Sequence, residues 1–351
     1  MKFGWKGAIG ITISIFLIWF TLRGEDLGLI LTTIAEGNLW FLFALIVVGT
    51  LGYLVRALRW KVILHPIEPD TALNSRFGAV SIGFMANNLL PARVGEFARA
   101  YAMGRFDTRI PVPGAFGSLV VERVLDGLVL AAFLVIPVFT PGFPELAPDS
   151  GFSVLVQGAA TLIGVMIVVL GALLLFPRPV VRIIEAVASL LPDGLERLVV
   201  DSVEAFLDSL AVVRSPRLLF AAFLWTAGFW LWHAGSFWLG MKAFGIETGP
   251  ISAIFTMAVV GFAVAIPAGP GFFGTFQVGA IFALQTVYGV ASEPTQAFAW
   301  AYHLGGFFPI TFIGLWYARS LGLSLGDVGR SEETVEEAVE AAHPELGESG
   351  A

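Results

Sequence analysis

Apolar residues dominate six windows of the chain, roughly 5–22, 39–59, 112–140, 153–176, 218–241 and 295–318. A helix needs about 20 apolar residues to cross the hydrocarbon core of a bilayer, so each window predicts one complete span. Two further apolar stretches, 77–91 and 251–289, are broken by Pro and Gly. Irregular backbone at membrane depth persists only where it is buried in protein or lines a cavity, which predicts broken or re-entrant segments there. The predicted fold class is all-α: a polytopic integral membrane protein with six full spans plus two broken or re-entrant segments. That gives six to eight transmembrane helices, according to whether 251–289 is a re-entrant hairpin or two spans. The first window follows Lys2 and Lys6, but Thr21-Leu22-Arg23-Gly24-Glu25 offers no small-residue cleavage site, so it is expected to remain as an anchor.

Basic residues accumulate on the cytoplasmic side of short loops. Residues 56–111 carry eight and 177–217 carry five, whereas 23–38 and 242–250 carry one each and 141–152 none. The expected topology is multi-pass in the cell membrane with both termini cytoplasmic. Residues 1–320 are expected to form the transmembrane domain, with an amphipathic cytoplasmic connector within 177–217. Residues 321–351 are expected to form an acidic, disordered cytoplasmic tail, since 319–351 hold eight acidic and two basic residues.

Composition agrees with the pattern: 57% hydrophobic and 13% charged residues and a mean hydropathy of +0.83 are far from a soluble domain. With no Cys and four His lacking ligand spacing, no metal or cofactor is expected. A net charge of −7 gives no reason to expect a nucleic-acid partner.

Three polar groups interrupt the apolar pattern. Arg93, Glu96 and Arg99 fall at successive i+3 positions after Pro91, which predicts one charged helix face whose N-terminus is open to an anion. Asn87 and Asn88 extend that polarity into the apolar stretch. At about 100° per residue Glu122, Arg123 and Asp126 lie within one arc of about 100°, roughly 15 Å into their window at 1.5 Å per residue. Charges that deep must be paired or hydrated, and a leftover carboxylate would suit a proton or cation, or a partner for Arg93. The third group runs from Pro267 through Gly269, Gly271 and Gly274 to Gln277. Pro91-Ala92-x-x-Gly95-x-Phe97 and Pro267-Ala268-x-x-Gly271-x-Phe273 share one pattern, each after a Gly-Phe pair, Gly83-Phe84 and Gly261-Phe262. The predicted topology inserts them from opposite sides, which points to an inverted repeat with a site at its interface.

Taken in order, Asn88-x-x-Pro91-x-Arg93-x-Gly95-Glu96-x-x-Arg99, Glu122-Arg123-x-x-Asp126 and Pro270-Gly271-x-x-Gly274 resemble the flippase-like transmembrane region of lysylphosphatidylglycerol synthases and its stand-alone relatives, over about residues 5–320. Many relatives carry Glu near the position of Gln277. The resemblance implies translocation of a phospholipid, an aminoacylated lipid or a polyprenyl-phosphate sugar between leaflets, here without the aminoacyltransferase domain. On this reading Arg93 and Arg99 bind the head-group phosphate, Glu96, Glu122 and Asp126 balance them or accept a cation, and 267–277 forms the opposite wall. The competing expectation is a non-transporting membrane partner of a lipid synthase or glycosyltransferase. A membrane enzyme is the weaker alternative, since the external loop 141–152 offers only Glu145 and Asp149.

Overall fold

The structure is a computed structural model and describes residues 5–144, 158, 161, 164, 215–266 and 268–342. The predicted span 153–176 and most of the predicted connector 177–217 lie outside the described residues. Among those described, every regular element is a helix. α1 (Trp5–Leu22) turns at Gly24, whose φ of +83° favours glycine, into α2 (Leu27–Glu36). Asp26 caps α2 by accepting the Leu29 N–H, and the bend between the two helices is 85°. The sequence reading expected only a loop at 23–38. An apolar helix turned across α1, with Leu27 and Leu31 exposed, is instead suited to lie along the membrane surface.

Among the described residues three helices are long and apolar enough to cross a membrane, or four if the bent α1–α2 pair is one span: α3 (Leu39–Leu64), with α7 (Pro216–Ala243) and α10 (Ser292–Ser320). Between α3 and α7 come α4 (Leu73–Leu89), α5 (Gly95–Phe106) and α6 (Val112–Val135). α6 is 24 residues long and carries Glu122, Arg123 and Asp126 near its middle. It ends sooner than the window 112–140, because Pro137 tightens the chain into the 3₁₀ turn Ile136–Phe139. α8 (Pro250–Ala263) and α9 (Thr275–Ile281) follow α7, and α9 runs on as a π-helical turn, Phe282–Val287. The chain is thus an all-α, multi-pass membrane protein.

The two broken stretches form helical hairpins. α4 and α5 run antiparallel, with Gly83 and Gly95 in backbone contact near the tip and Gly78 against Phe106 near the base. A Cβ on Gly95 would collide with the Gly83 carbonyl and with Asn87, so this crossing requires glycine. The hairpin spans 73–106, wider than the interrupted stretch 77–91. α8 and α9 pair likewise, with Gly279 against Ala263 at one end and the Phe255 and Tyr288 rings 5.8 Å apart at the other. The 14-residue α8 and 12-residue α5 rise about 21 and 18 Å, short of a roughly 30 Å hydrocarbon core.

α10 shows that the hairpins insert from opposite ends. Near its C-terminus the Tyr317 hydroxyl donates to Asn74 at the base of the first hairpin, at 2.7 Å. At its N-terminus Ser292 accepts from Gln285, at the base of the second, at 3.0 Å. Two apolar cores follow this division. One gathers Trp60, Met85 and Met103 around the first hairpin, and the other Phe237, Phe255 and Leu284 around the second.

The expected disordered tail is folded over its first part. α11 (Leu325–Gly329) and α12 (Ser331–Ala342) follow α10, and α12 packs on α5 and α6. Val328 and Val335 are buried in the first core. These two apolar positions in an acidic stretch supply the contacts that overall charge obscures. Residues 343–351 lie outside the described residues.

Candidate functional site

Arg56 and Arg59, one turn apart on α3, face Glu122 and Asp126, one turn apart on α6. Glu122 Oε1 accepts from Arg56 at 2.9 Å, Arg99 at 2.7 Å and Arg123 at 3.3 Å, and it forms an ion pair with Arg59 at 2.8 Å. Arg99 also donates to Oε2 at 2.9 Å, making the pair bidentate. Arg59 binds Asp126, whose Oδ1 also accepts the Trp230 indole N–H at 2.9 Å. Aromatic faces hold the guanidiniums: Arg99 lies 3.9 Å from the Trp60 ring centroid and Arg56 4.5 Å from that of Phe229. Arg56, Arg59, Arg99, Glu122 and Asp126 are all buried.

This arrangement corrects two sequence-based expectations. Arg56, Arg59, Arg76 and Arg99 are half of the eight basic residues in 56–111, but all four are buried: Arg56, Arg59 and Arg99 pair with carboxylates, and Arg76 donates to the Ala57 and Thr71 carbonyls. A leftover carboxylate was expected in the α6 cluster. Arg56, Arg59 and Arg99 arrive from other helices and leave the surplus cationic instead. The signal was present in the sequence as two arginines inside the apolar run Leu39–Leu64.

Arg93, Glu96 and Arg99 do not share one helix face, because α5 begins only at Gly95. Arg93 ends a 3₁₀ turn, Pro91–Arg93, with φ of +57°. Its Nη1 donates to the Ala265 carbonyl at the other hairpin tip at 2.7 Å, and its guanidinium lies 5.2 Å from the Phe272 ring centroid. Glu96 faces Arg123 at 3.8 Å. The first N–H of α5 is not open to an anion as expected, since Asn87 Oδ1 accepts the Gly95 N–H at 2.9 Å. Asn88 Nδ2 donates to Thr311 at 2.8 Å.

The second tip repeats this construction with the correspondence shifted three residues from the sequence reading. A turn at Pro270–Phe272 matches Pro91–Arg93, and helices resume after Gly274 and at Gly95. Pro91-x-x-x-Gly95-x-Phe97 therefore pairs with Pro270-x-x-x-Gly274-x-Phe276. Arg93 and Phe272, with φ of +57° and +61°, are the two non-glycine residues with positive φ among the described residues. The tips touch through them. Ser14 of α1 seals the junction, donating to the Phe273 carbonyl at 2.8 Å and accepting the Gly269 N–H at 2.9 Å.

Gln277 is buried and has a positioning part. Its Oε1 accepts the Gly274 N–H at 2.9 Å, and its Nε2 donates to His303 Nδ1 at 3.0 Å. His303 Nε2 then donates to the Gly271 carbonyl at 2.7 Å, which fixes a neutral imidazole. His303 has no ligand spacing to the other histidines, but a histidine inside an apolar span is itself a signal.

A cavity of about 370 Å³ opens between the tips and α3, α6, α7 and α10. Of the predicted residues, Asn87, Asn88, Arg93, Glu96, Arg99, Arg123 and Asp126 border it. Glu122 lies behind them with no exposed surface. Gly269, Gly271, Gly274 and Gln277 shape the tip without lining the cavity, where Phe272 and Phe276 stand instead. Pro267 lies outside the described residues. Arg56, Phe229, Trp230 and His233 also border the cavity and were not among the predicted site residues.

These features define a helical membrane protein built on two opposed hairpins that meet at a charged internal cavity. Residues 7–314 match the family described as lysylphosphatidylglycerol synthase TM region, and the chain belongs to that family. Over 297 residues it is 25% identical to glycosyltransferase AglD of Haloferax volcanii, covering 77% of this chain and 47% of that protein. Over 140 residues it is 29% identical to the UPF0104 membrane protein MJ1595 of Methanocaldococcus jannaschii, covering 39% of this chain and 40% of that protein. The matches thus span less than half the length of either relative. No solved structure matches the chain.

Proposed function

We propose that residues 1–320 form a unit that carries the phosphate-bearing head group of a membrane lipid between leaflets of the cell membrane, with both termini cytoplasmic. The observation that carries this reading is the arginine-bordered cavity at the meeting point of two oppositely inserted hairpins. Half-helix tips that meet inside the membrane are a recurring way to build a transport site. Arg93 and Arg123 border the cavity and are less buried than Arg56 and Arg99, which makes them the donors best placed to reach a phosphate although Arg123 also donates to Glu122 at 3.3 Å; Arg56 and Arg99, held on Glu122, add positive field behind them. This amends the sequence reading, which gave Arg99 a direct contact. The acyl chains stay in the bilayer. Transport of this kind requires no bond-making, so the unit is proposed as a non-enzyme.

The glycosyltransferase name of one relative favours a second reading, in which the same cavity holds a lipid-linked sugar for a partner synthase or glycosyltransferase. Reconstitution separates the two. In vesicles carrying fluorescent NBD-labelled phosphatidylglycerol, translocation makes the inner-leaflet probe accessible to external dithionite, and Arg123→Gln slows it. Accessibility no greater than in protein-free vesicles, with phosphatidylglycerol and with a polyprenyl-phosphate probe, rejects transport and leaves the partner reading.

A further inference from the structure

Resting on the head-group reading above, we infer that the cavity selects a lipid with a phosphate monoester and rejects head groups bearing an ammonium. Formal charge is the basis. Among the described residues five guanidiniums, Arg56, Arg59, Arg93, Arg99 and Arg123, stand in or behind the cavity wall against three carboxylates, Glu96, Glu122 and Asp126. The surplus is two positive charges, held where desolvation makes uncompensated charge costly. A phosphate monoester carries about −1.5 to −2 at neutral pH and balances that surplus. A phosphodiester balances half of it, and an aminoacylated diester adds positive charge to an already cationic wall.

The carboxylates give an ammonium little to bind. Glu122 Oε1 already accepts from Arg56, Arg99 and Arg123 and pairs with Arg59 at 2.8 Å, and Asp126 is held by Arg59 and Trp230. Glu96 has more room, with Arg123 at 3.8 Å, but it borders the same cavity as Arg93 and Arg123. An ammonium reaching Glu96 meets those two guanidiniums as well.

Equilibrium binding tests this without requiring transport, so a failure here is separate from a failure of the vesicle assay. The full chain in phosphatidylcholine nanodiscs is titrated with dihexanoyl phosphatidate, dihexanoyl phosphatidylglycerol, dihexanoyl lysylphosphatidylglycerol and inorganic phosphate, with tryptophan fluorescence as the readout, since Trp230 borders the cavity. Phosphatidate is expected to bind about tenfold more tightly than phosphatidylglycerol, a difference of about 1.4 kcal/mol, and the lysyl lipid most weakly of the three. Glu96→Gln raises the surplus and is expected to tighten phosphatidate, whereas Arg123→Gln lowers it and is expected to loosen phosphatidate. Both side chains are partly exposed, at 31% and 45%, so the two variants are expected to fold, with a monodisperse size-exclusion peak as the check. Lysyl-lipid binding equal to that of phosphatidate, looser phosphatidate binding in Glu96→Gln, or no binding of any of the lipids overturns the inference. Inorganic phosphate binding as tightly as phosphatidate overturns its lipid part and assigns the site to the free anion.

Discussion

Asn87 and Gln277 do the same work at the two hairpin tips: each buried side-chain oxygen accepts the N–H of the glycine at the start of the second arm, Gly95 or Gly274, at 2.9 Å. The two caps come from opposite directions along the chain. Asn87 belongs to the helix before its turn, and Gln277 to the helix after. The tips therefore correspond in shape and in hydrogen bonding while differing in the residues that supply it.

Removing either cap leaves a buried N–H without an acceptor, a loss of about 1–3 kcal/mol. Asn87→Leu and Gln277→Leu are expected to lower the unfolding temperature, Gln277→Leu more, because it also strands His303 Nδ1. Gln277→Glu keeps an acceptor for Gly274 and is expected to cost less than Gln277→Leu. Thermal unfolding in detergent measures the ranking, and equal temperatures for all three variants would remove the caps from the account.

Glu122 and Asp126 are unequal in what they hold. Glu122 serves Arg56, Arg59 and Arg99, whereas loss of Asp126 leaves Arg59 still paired with Glu122 at 2.8 Å. Breaking a buried ion pair by removing one partner costs about 3–5 kcal/mol. Glu122→Gln is expected to abolish the monodisperse peak in size-exclusion chromatography, and Asp126→Asn to reduce it. The reverse order would mean that Asp126, with Trp230, anchors the cluster.

Glycine packing gives a test with an internal control. A Cβ on Gly314 of α10 would collide with the Ser81 carbonyl and the Met85 side chain of α4, whereas one on Gly235 of α7 meets nothing within 4 Å among the described residues. Gly314→Ala is expected to destabilise the protein. Gly235→Ala is expected to be neutral or to gain up to about 1 kcal/mol from helix propensity. Unfolding temperatures of the pair check the closeness of the α4–α10 crossing.

Much of this architecture was legible in the sequence because long apolar runs and Pro/Gly interruptions are local signals. The windows at 39–59, 218–241 and 295–318 each correspond to one long helix. Residues whose meaning depends on distant partners were harder to read. Arg56 and Arg59 look like ordinary end-of-span charges until α6 brings Glu122 against them. His303 looks isolated until the second hairpin folds Gln277 onto it. The repeat was visible but misregistered, because Pro267 and Pro270 lie three residues apart and sequence alone does not say which one opens the turn.

Orientation can be tested independently of transport. Thr108 lies exposed between α5 and α6, and Glu247 lies exposed between α7 and α8. In this Cys-free chain, Glu247→Cys is expected to react with an impermeant maleimide added outside cells, and Thr108→Cys only after permeabilisation. The opposite pattern inverts the proposed orientation, and labelling of both from outside contradicts the opposed hairpins.

Arg93 combines a strained backbone, a contact between the tips and a place at the cavity, and two substitutions separate these roles. Its φ of +57° disfavours any side chain, so Arg93→Gly relieves roughly 1–2 kcal/mol of strain while deleting the hydrogen bond to Ala265 and the stack on Phe272. Arg93→Lys keeps the strain and the charge but loses the planar fork that serves both contacts. If Arg93 meets the lipid phosphate, both variants lose most dithionite-accessible transport of NBD-phosphatidylglycerol. Stability then distinguishes them, because the Gly variant unfolds near the parent temperature and the Lys variant below it. Parent-rate transport in both would confine Arg93 to joining the tips, and the phosphate contact would pass to Arg123.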